Sequence, residues 1–336
     1  MRRLLWICFF LPIPILAVTG GLLSELRYPY YNAVDEEVFV DIPPGANAAK
    51  VAGLLKARGL LHTQLPFRLW LRHNGLDRSL KAGEYRFSGK ANPIEIAERL
   101  TRGDIYFRSI TVAEGLTAME TVDLLARAGF GDREKLSAAC SRADWIQDLN
   151  PSARNLEGYL FPETYRFGRG NDEEAIIRAM VDQFRNRMNK ILKESPLPDG
   201  WTAARIVTLA SMIEKEVKTP AEQPIVASVM YNRLRLGMTL GIDATVIYAM
   251  KLAGTWDGNI RKSDLRMESP YNTYIRRDLP PGPICSPGES AIRAALNPEK
   301  TDYLYYVSKN DGTHHFSHDL RSHNNAVNRY QRSGRQ

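Results

Sequence analysis

The sequence predicts an α+β protein in which an apolar N-terminal segment precedes a small α+β module and a larger mixed α/β domain. Apolar residues recur at helical spacing over most of the chain, and short runs with strand-like alternation stand between the helical segments. A chain of 336 residues with 44% hydrophobic and 25% charged residues is long enough for a buried core and ordinary for a globular protein. We expect divisions at residues 1–27, 36–108 and 109–336.

The first segment predicts a membrane anchor. Arg2 and Arg3 precede residues 4–23, a run of about 20 residues without a charge, which is long enough to span a bilayer. Arginines before the run favour a cytoplasmic N-terminus and an exported body. A cleaved signal peptide is the alternative. Because no clear Ala-x-Ala site precedes a plausible junction, we expect the anchor to stay attached.

The charge distribution argues against a nucleic-acid partner. The formal net charge of +7 predicts mild attraction to anionic lipids or wall polymer. Lysine and arginine are scattered along the chain, and no basic motif interleaved with aromatic residues is present. We therefore expect no DNA or RNA to bind this protein.

Cysteine and histidine do not form a recognisable metal motif. Cys8 lies in the predicted anchor, and Cys140 and Cys285 could pair in an oxidising compartment, although nothing in the sequence brings them together. We expect both to be small buried residues. A zinc site is suggested by the C-terminal histidines His314, His315, His318 and His323. Because the helical His-Glu-x-x-His arrangement is missing, we expect no metal.

Residues 36–108 alternate strand and helix patterns. Gly59, Gly75 and Gly103 stand where three successive helices should end, because glycine readily takes the left-handed conformation of a helix end. The predicted strands are 38–42 and 83–87, and the predicted helices are 48–58, 65–73 and 93–101.

The next part of the chain predicts one strand followed by helices. A strand pattern covers residues 105–112, and Thr117 then suits the N-cap of a helix that runs to about residue 128. Further helices are predicted at 133–142 and 173–194, and Pro162 breaks regular structure between them. The second of these helices is amphipathic and suits a role in the core.

Two glutamates lie near the end of the following helix. On a helical wheel of residues 206–217, Glu214 and Glu216 lie at opposite edges of the apolar face. Desolvation at an apolar edge can raise the pKa of a carboxylate, which a general acid needs. The alternative is that both are rim residues of an ordinary amphipathic helix. The wheel does not choose between them. The apolar face consists of Ile206, Leu209, Ala210, Ile213 and Val217.

A sharp turn is predicted after this helix. Thr219 suits an N-cap, Pro220 suits the first helical position, and Glu222 completes a capping box. Apolar residues at helical spacing follow, and Gly237 is a plausible end of that second helix. We therefore expect the second helix to begin at residue 220.

The C-terminal part is rich in loops. Asp243 opens a short segment, 244–250, with Thr245 in its first turn. Rigid turns at 280–283 and 286–288 suit the wall of a substrate cleft. Beyond them we predict a helix at 290–296 and a hairpin of strands at 303–307 and 313–317.

Several long strings stand in order along the chain: EGYLFPETY (157–165), ASMIEKE (210–216), VASVMYNRL (226–234), DATVIY (243–248), PYNTY (270–274) and LPPGPI (279–284). In this order they resemble the YceG-like family of endolytic murein transglycosylases, and matching blocks run from about residue 36 to about residue 330. The order and length of the strings make the resemblance specific. At five positions the chain differs from the residues that are usual in the family, and these differences concern sugar contacts rather than the reaction class. The positions are Gly241, Ile242, Ala244, Asp278 and Ser286.

The resemblance implies a lytic transglycosylase. In the family the first glutamate of the EKE run is the catalytic acid, which selects Glu214. Its substrate is peptidoglycan, cut within glycan strands between N-acetylmuramic acid and N-acetylglucosamine to leave 1,6-anhydro ends, which implies a role in ending strand elongation. No cofactor is expected. The residues expected to bind the sugars are Asp243, Thr245, Tyr271, Asn272, Thr273 and Tyr274.

One carboxylate suffices for this chemistry. An ordinary glycosidase needs two, whereas here the C6 hydroxyl of the substrate attacks its own C1, so one glutamate can serve in turn as acid and base. Glu157 and Glu163 could supply a second carboxylate, but loop residues of this kind more often make capping and turn bonds. The alternatives are a hydrolytic muramidase, an inert wall-binding protein and a scaffold for cell-wall synthesis.

The resemblance also implies a location and partners. Residues 36–108 resemble a LysM-like module, which suggests contact with glycan strands, and the alternative is a spacer between membrane and catalytic domain. The expected location is the inner membrane, crossed once, with the catalytic domain in the periplasm. Penicillin-binding synthases of the cell wall are the implied protein partners.

Overall fold

The computed structural model describes residues 21, 24–27, 37–168 and 171–332, which form two compact units. The first unit contains the residues up to Ser109 together with Arg166–Asn171. The second contains Ile110–Tyr165 and the chain from Asp172 onward. The division expected at residues 108/109 does not include the return of 166–171, because the pairing of two strands far apart in sequence leaves no local pattern.

The first unit packs two antiparallel strands with helices. Val40 lies opposite Tyr85 in the strand pair, and the buried core around them includes Leu55, Phe67 and Leu100. The predicted strands and helices of this region are confirmed, since glycines end the helices where the sequence places them. The elements are β1 (Val38–Ile42), α1 (Ala48–Ala57), α2 (Leu65–His73), β2 (Gly83–Phe87) and α3 (Pro93–Arg102).

The rest of the described chain is mainly helical. Strands β3 and β4 pair with each other, as do β5 and β6. The chain crosses from one unit to the other within β3 and again within β4. The elements are β3 (Arg108–Thr111), α4 (Ala118–Arg127), α5 (Arg133–Cys140), β4 (Thr164–Phe167), α6 (Glu173–Glu194), α7 (Ala203–Glu216), α8 (Gln223–Arg235), α9 (Asp243–Ala253), α10 (Glu289–Leu296), β5 (Tyr305–Ser308), β6 (His314–Ser317) and α11 (Leu320–Val327), with short 3₁₀ turns at Ala143–Ile146 and Asp264–Arg266 and a π turn at Asn328–Arg332.

Helix α7 is buried on all sides along most of its length. Every residue from 206 to 213 is buried, and α7 packs against α8, α9 and α10. The sequence-based expectation of a single apolar face is therefore wrong. The buried hydroxyls of Thr208 and Ser211 donate to carbonyls of the preceding turn, which makes their burial tolerable. Side chains reach solvent at the two ends of the helix, at Arg205 in the first turn and from Glu214 onward in the last.

The turn after α7 differs from the prediction. Residues 219–222 form a turn, and α8 begins at Gln223, so the capping box predicted for Thr219 and Glu222 is wrong. The Glu222 carboxylate instead accepts the backbone N–H of His314 at 2.9 Å and lies 2.7 Å from the Nδ1 of the same residue. A partner that is distant in sequence thus replaces the local cap.

The strand predicted at 105–112 is shorter than expected. Regular pairing covers Arg108–Thr111 only, because the N–H of Tyr106 donates to the carbonyl of Glu84, at 2.6 Å, before β3 begins.

Cys140 and Cys285 are both buried and unpaired, which confirms the expectation of two small buried residues.

The anchor predicted for residues 4–23 lies almost wholly outside the described residues. Among those that are described, no helix has the length and apolar character needed to cross a bilayer.

Candidate active site

Glu214 lies on the last turn of α7, and its side chain reaches the residue that precedes α10. Its Oε2 accepts a hydrogen bond of 3.0 Å from the backbone N–H of Gly288. Gly288 is the N-cap residue of α10. The carboxylate is therefore oriented by a backbone donor while it stays partly exposed.

Two loops are joined beside this carboxylate. The N–H of Gly115 donates to the carbonyl of Ser286 at 2.9 Å, and the N–H of Ser286 donates to the carbonyl of Leu116 at 2.8 Å. The Nζ of Lys215 donates to the carbonyl of Gly115 at 3.2 Å. These bonds join the loop before α4 to the loop before α10, and they tie both loops to the end of α7.

Glu114 occupies the space beside Gly288. A Cβ added to Gly288 would lie 2.0 Å from the Oε1 of Glu114 and 2.2 Å from its Cδ. The backbone of Gly288, with φ −75° and ψ 170°, suits any residue, so space rather than conformation favours glycine at this position. Two carboxylates, those of Glu114 and Glu214, therefore lie against one glycine.

The surroundings favour the protonated form of Glu214. Burial raises the pKa of Glu214 above its usual value, and the charge of Glu114 raises it further. The hydrogen bond from Gly288 and the charge of Lys215 act in the opposite direction without reversing the shift. A carboxyl group that keeps its proton to higher pH is suited to general acid catalysis.

Glu216 faces different neighbours. The hydroxyl of Tyr306 donates to its Oε2 at 2.7 Å. Burial raises the pKa of Glu216, the Tyr306 bond lowers it, and the charge of Asp243 raises it. Glu214 thus contacts the residue before α10, whereas Glu216 contacts strand β5, in agreement with their positions at opposite edges of the helical wheel.

Asp243 and Tyr274 join the start of α9 to the YNTY segment. The Tyr274 hydroxyl donates to the Oδ1 of Asp243 at 2.5 Å. Asp243 is exposed and Tyr274 partly exposed, so both can be reached from solvent. Burial raises the pKa of Tyr274, and its bond to Asp243 raises it further, so this hydroxyl stays a donor at neutral pH.

Three other residues predicted to bind sugar are fully buried: Thr245, Asn272 and Thr273. The hydroxyls of Thr245 and Thr273 lie 2.9 Å apart, and the Thr273 hydroxyl accepts the N–H of Ile242 at 2.9 Å. The Asn272 amide donates to two backbone carbonyls of the preceding loop. In this structure these side chains hold the segment in place, and direct sugar contact from them stays a prediction.

Tyr271 leads from the YNTY segment to a buried carboxyl group. Its ring packs on Tyr248, with 4.9 Å between ring centroids, and the Tyr248 hydroxyl donates to Glu157 at 3.2 Å. Glu157 also accepts the N–H of Ala118, the first residue of α4, at 3.0 Å, which confirms the expected capping role. Burial raises the pKa of Glu157 to about 7.

Glu163 and the histidines have separate partners. Glu163 forms an ion pair of 2.8 Å with Arg187. His314 pairs with Glu222, and the Nδ1 of His318 lies 2.6 Å from Asp302. Within the described part of the chain, no three histidine, cysteine or acidic side chains are placed to hold a metal ion together.

The chain is similar to known proteins over most of its length. A model of the YceG-like family matches residues 40–329. The chain belongs to the YceG-like family. A relative from Bacillus subtilis, named endolytic murein transglycosylase, is 33% identical over 333 residues, which cover 94% of this chain and 91% of that protein. A Streptococcus pneumoniae protein of the same name is 27% identical over 326 residues, which cover 86% of this chain and 58% of that protein.

A solved structure agrees with the family. The crystal structure of a yceG-like protein from Listeria monocytogenes matches 87% of this chain and 99% of that chain, with a TM-score of 0.57 and 31% sequence identity. This YceG-like chain therefore shares the fold of that protein over most of its length.

Sequence reasoning missed Glu114 as a residue of the site. Glu114 and Gly288 are far apart in the chain, and only the pairing of the loops before α4 and α10 brings them together. One local signal was available. Glu114 stands directly before a glycine and three residues before the helix cap Thr117, and such loop residues often carry function.

Proposed function

We propose that this YceG-like protein is an endolytic murein transglycosylase in which Glu214 serves as both acid and base. Family membership and the names of its relatives support the reaction class. The observation that carries the assignment to Glu214 is its place at the end of a buried helix, where the Gly288 N–H orients a carboxyl group with a raised pKa.

The first step needs the protonated form of Glu214. Its carboxyl group gives a proton to the oxygen between N-acetylmuramic acid and N-acetylglucosamine, and the bond from C1 to that oxygen breaks. The N-acetylglucosamine end leaves as an alcohol. The Gly288 N–H then stabilises the carboxylate that remains, because a donor aimed at developing charge costs no reorganisation.

The second step restores the proton. The Glu214 carboxylate takes the proton of the muramic acid C6 hydroxyl as that oxygen bonds to C1, which closes the 1,6-anhydro ring. No water is consumed. Because the attacking hydroxyl belongs to the substrate, effective molarity replaces the second carboxylate that a hydrolase needs.

The remaining predicted site residues divide by accessibility. Asp243, Tyr271 and Tyr274 are at least partly exposed, and they are proposed to contact sugar hydroxyls and acetamido groups. The buried set is proposed to fix the shape of the two loops, and it consists of Thr245, Asn272 and Thr273.

The product distinguishes this reaction from hydrolysis. The full-length protein is incubated with purified glycan strands, and the fragments are weighed by mass spectrometry. Transglycosylation leaves muramic acid ends lighter by one water than the ends that hydrolysis leaves. Reducing muramic acid ends would identify a muramidase, and the absence of any cleavage would favour a wall-binding or scaffold role.

The anchor and location form a separate proposal. Arg2 and Arg3 before the apolar residues 4–23 support a single-pass protein of the inner membrane whose catalytic unit lies in the periplasm. The protein should then fractionate with the inner membrane, and N-terminal sequencing should find its first residue near Met1. A mature N-terminus between residues 20 and 30 would identify a cleaved signal peptide instead.

The first unit is proposed to contact glycan strands, and the protein is proposed to act near the cell-wall synthases. The LysM-like resemblance of residues 36–108 supports glycan contact by the first unit, and action on growing strands supports proximity to penicillin-binding synthases. Binding of the full-length Glu214→Gln variant to insoluble peptidoglycan should weaken when exposed polar residues of α1–α3 are replaced. Unchanged binding would leave the spacer role.

A further inference from the structure

The candidate acid shares its glycine with a second carboxylate. Gly288 donates its N–H to Glu214, and the side-chain end of Glu114 fills the space where a Cβ of residue 288 would stand. Glu114 comes from the loop before α4, whereas Gly288 comes from the loop before α10. The bonds that Ser286 makes to Gly115 and Leu116 fix the two loops against each other, so the contact belongs to the fold.

The charged and titratable groups that interact with Glu214 come from its own helix and from the two loops beside it. Lys215 stands on the same helix, Glu114 on the loop before α4, and Cys285 on the loop before α10. The amino group of Lys215 is engaged with the carbonyl of Gly115, and the thiol of Cys285 is buried. The charge of Glu114 acts on Glu214 more strongly than the opposing charge of Lys215.

We propose that Glu114 is a positioning residue of the transglycosylase reaction, whose negative charge, held beside Gly288, favours the protonated form of Glu214. The proposal rests on the function proposed above, because it concerns the same acid. Glu114 is exposed, so water can stabilise its negative charge while the partly buried Glu214 keeps a proton.

A substitution at Gly288 offers a second way to remove the Glu114 charge from the neighbourhood of Glu214. An alanine at position 288 would meet the flexible end of Glu114, not backbone, and its φ and ψ are allowed for alanine. We therefore expect Gly288→Ala to displace the Glu114 carboxylate and to leave the N–H that binds Glu214 in place. Glu114→Gln removes the same charge without adding an atom at Gly288. The two substitutions differ chemically, but both should lower the pKa of Glu214.

The test is the pH dependence of kcat/KM on purified glycan strands, measured with the full-length protein. In both Glu114→Gln and Gly288→Ala, the loss of activity on the alkaline side should move to lower pH. In Glu114→Gln, the rate at the acid plateau should stay close to that of the wild type. A displacement of one pH unit would lower the rate on the alkaline limb about tenfold. Glu114→Asp keeps the charge and should recover part of the loss.

Glu163→Gln is the matched control. It removes a carboxylate that pairs with Arg187 and lies outside the loops around Glu214, so its profile should follow the wild type. Thermal unfolding of every variant shows whether it is folded, and mass spectrometry of the products is run in parallel.

The outcomes separate the two proposals. Unmoved profiles in both folded variants, with anhydro products, would overturn the role of Glu114 and leave the transglycosylase function standing. Loss of activity at every pH in Glu114→Gln would make Glu114 a catalytic carboxylate and overturn the positioning role. Reducing ends from the wild type would instead overturn the proposed function.

Discussion

The Gly288 N–H donates a 3.0 Å hydrogen bond to Glu214 across 74 positions of the chain. The contact orients the carboxyl group before any substrate is present, because its donor belongs to a loop tied to the same helix through Lys215 and Gly115. An amide oxygen can accept the same bond. Loss of the carboxyl group can therefore be separated from loss of the local structure.

We expect Glu214→Gln to abolish nearly all activity and to leave the melting temperature almost unchanged. Glutamine keeps the bond to Gly288 but has no proton to give at neutral pH. General acid–base catalysis contributes about 10²–10⁴-fold, and a residue that serves as both acid and base should reach or exceed that range. The measurement is the rate of anhydro-end formation, with thermal unfolding of the same preparation.

Glu216→Gln is the control for that experiment. Its amide oxygen can still accept the Tyr306 hydroxyl, so the variant should keep most activity. If the results for Glu214 and Glu216 were exchanged, the choice of the acid would be wrong. If both variants stayed active, a mechanism with one carboxylate would fail.

The buried hydroxyl pair of Thr245 and Thr273 should show energetic coupling. The oxygens lie 2.9 Å apart, and Thr273 also accepts the Ile242 N–H. Thr273→Val should cost about 1–3 kcal/mol, because it leaves that N–H buried without a partner. Thr245→Val should also destabilise the protein, because the Thr245 hydroxyl donates to the Ile242 carbonyl at 2.7 Å and accepts the Thr273 N–H at 3.4 Å. The double variant should cost less than the sum by about 0.5 kcal/mol or more in urea unfolding. Strict additivity would show that the two hydroxyls are independent.

Capping residues and glycines near in sequence predict where most helices of this chain begin and end. Thr117 and Glu120 form a reciprocal capping box at the start of α4, and Asn92 with Glu95 does so for α3. Where a distant partner competes, the same reasoning fails. Glu222 binds His314 instead of capping α8, and such a partner leaves no mark in the neighbouring sequence.

The site was only partly predictable for a similar reason. The resemblance to the family selected Glu214, and the wheel placed Glu214 and Glu216 on different edges. Neither indicates that Thr245 is buried or that Glu114 contacts Gly288, because both facts depend on how loops meet in three dimensions. Spacing along one helix carries no information about the loops that cover it.

Ser286→Ala should be neutral or stabilising by up to about 1 kcal/mol. Ser286 is fully buried, and within the described residues its hydroxyl has no hydrogen-bond partner. Removing a buried group without a partner relieves a desolvation cost. Chemical denaturation measures the change, and a loss of stability beyond about 1 kcal/mol would show that the hydroxyl is bonded in solution.

Ser211→Ala provides the matched contrast. Ser211 is equally buried, but its hydroxyl donates to the carbonyl of Thr208 at 2.7 Å and accepts the N–H of Ile284 at 3.1 Å. Its removal leaves a buried N–H without a partner, so we expect a loss of about 1–3 kcal/mol. Equal effects of the two substitutions would contradict this assignment.

Glu157 should make the stability of the protein depend on pH in a defined window. Burial raises its pKa from 4.5 to about 7 in the folded state. Between these values the folded protein holds the proton and the unfolded chain has lost it. The stabilisation from this group is therefore complete below about pH 4.5 and is lost as the pH rises to about 7.

Glu157→Gln removes this titration and keeps the contacts. The amide oxygen can accept the Ala118 N–H, and the amide nitrogen can donate to the Tyr248 oxygen. The free energy of unfolding of the wild type, relative to the variant, should thus fall by on the order of 3 kcal/mol at most between pH 4.5 and 7. Urea unfolding at several pH values measures it, with Glu163→Gln as a control at an ion-paired surface carboxylate. Parallel curves for wild type and Glu157→Gln would mean that the buried carboxyl group titrates as it would in water.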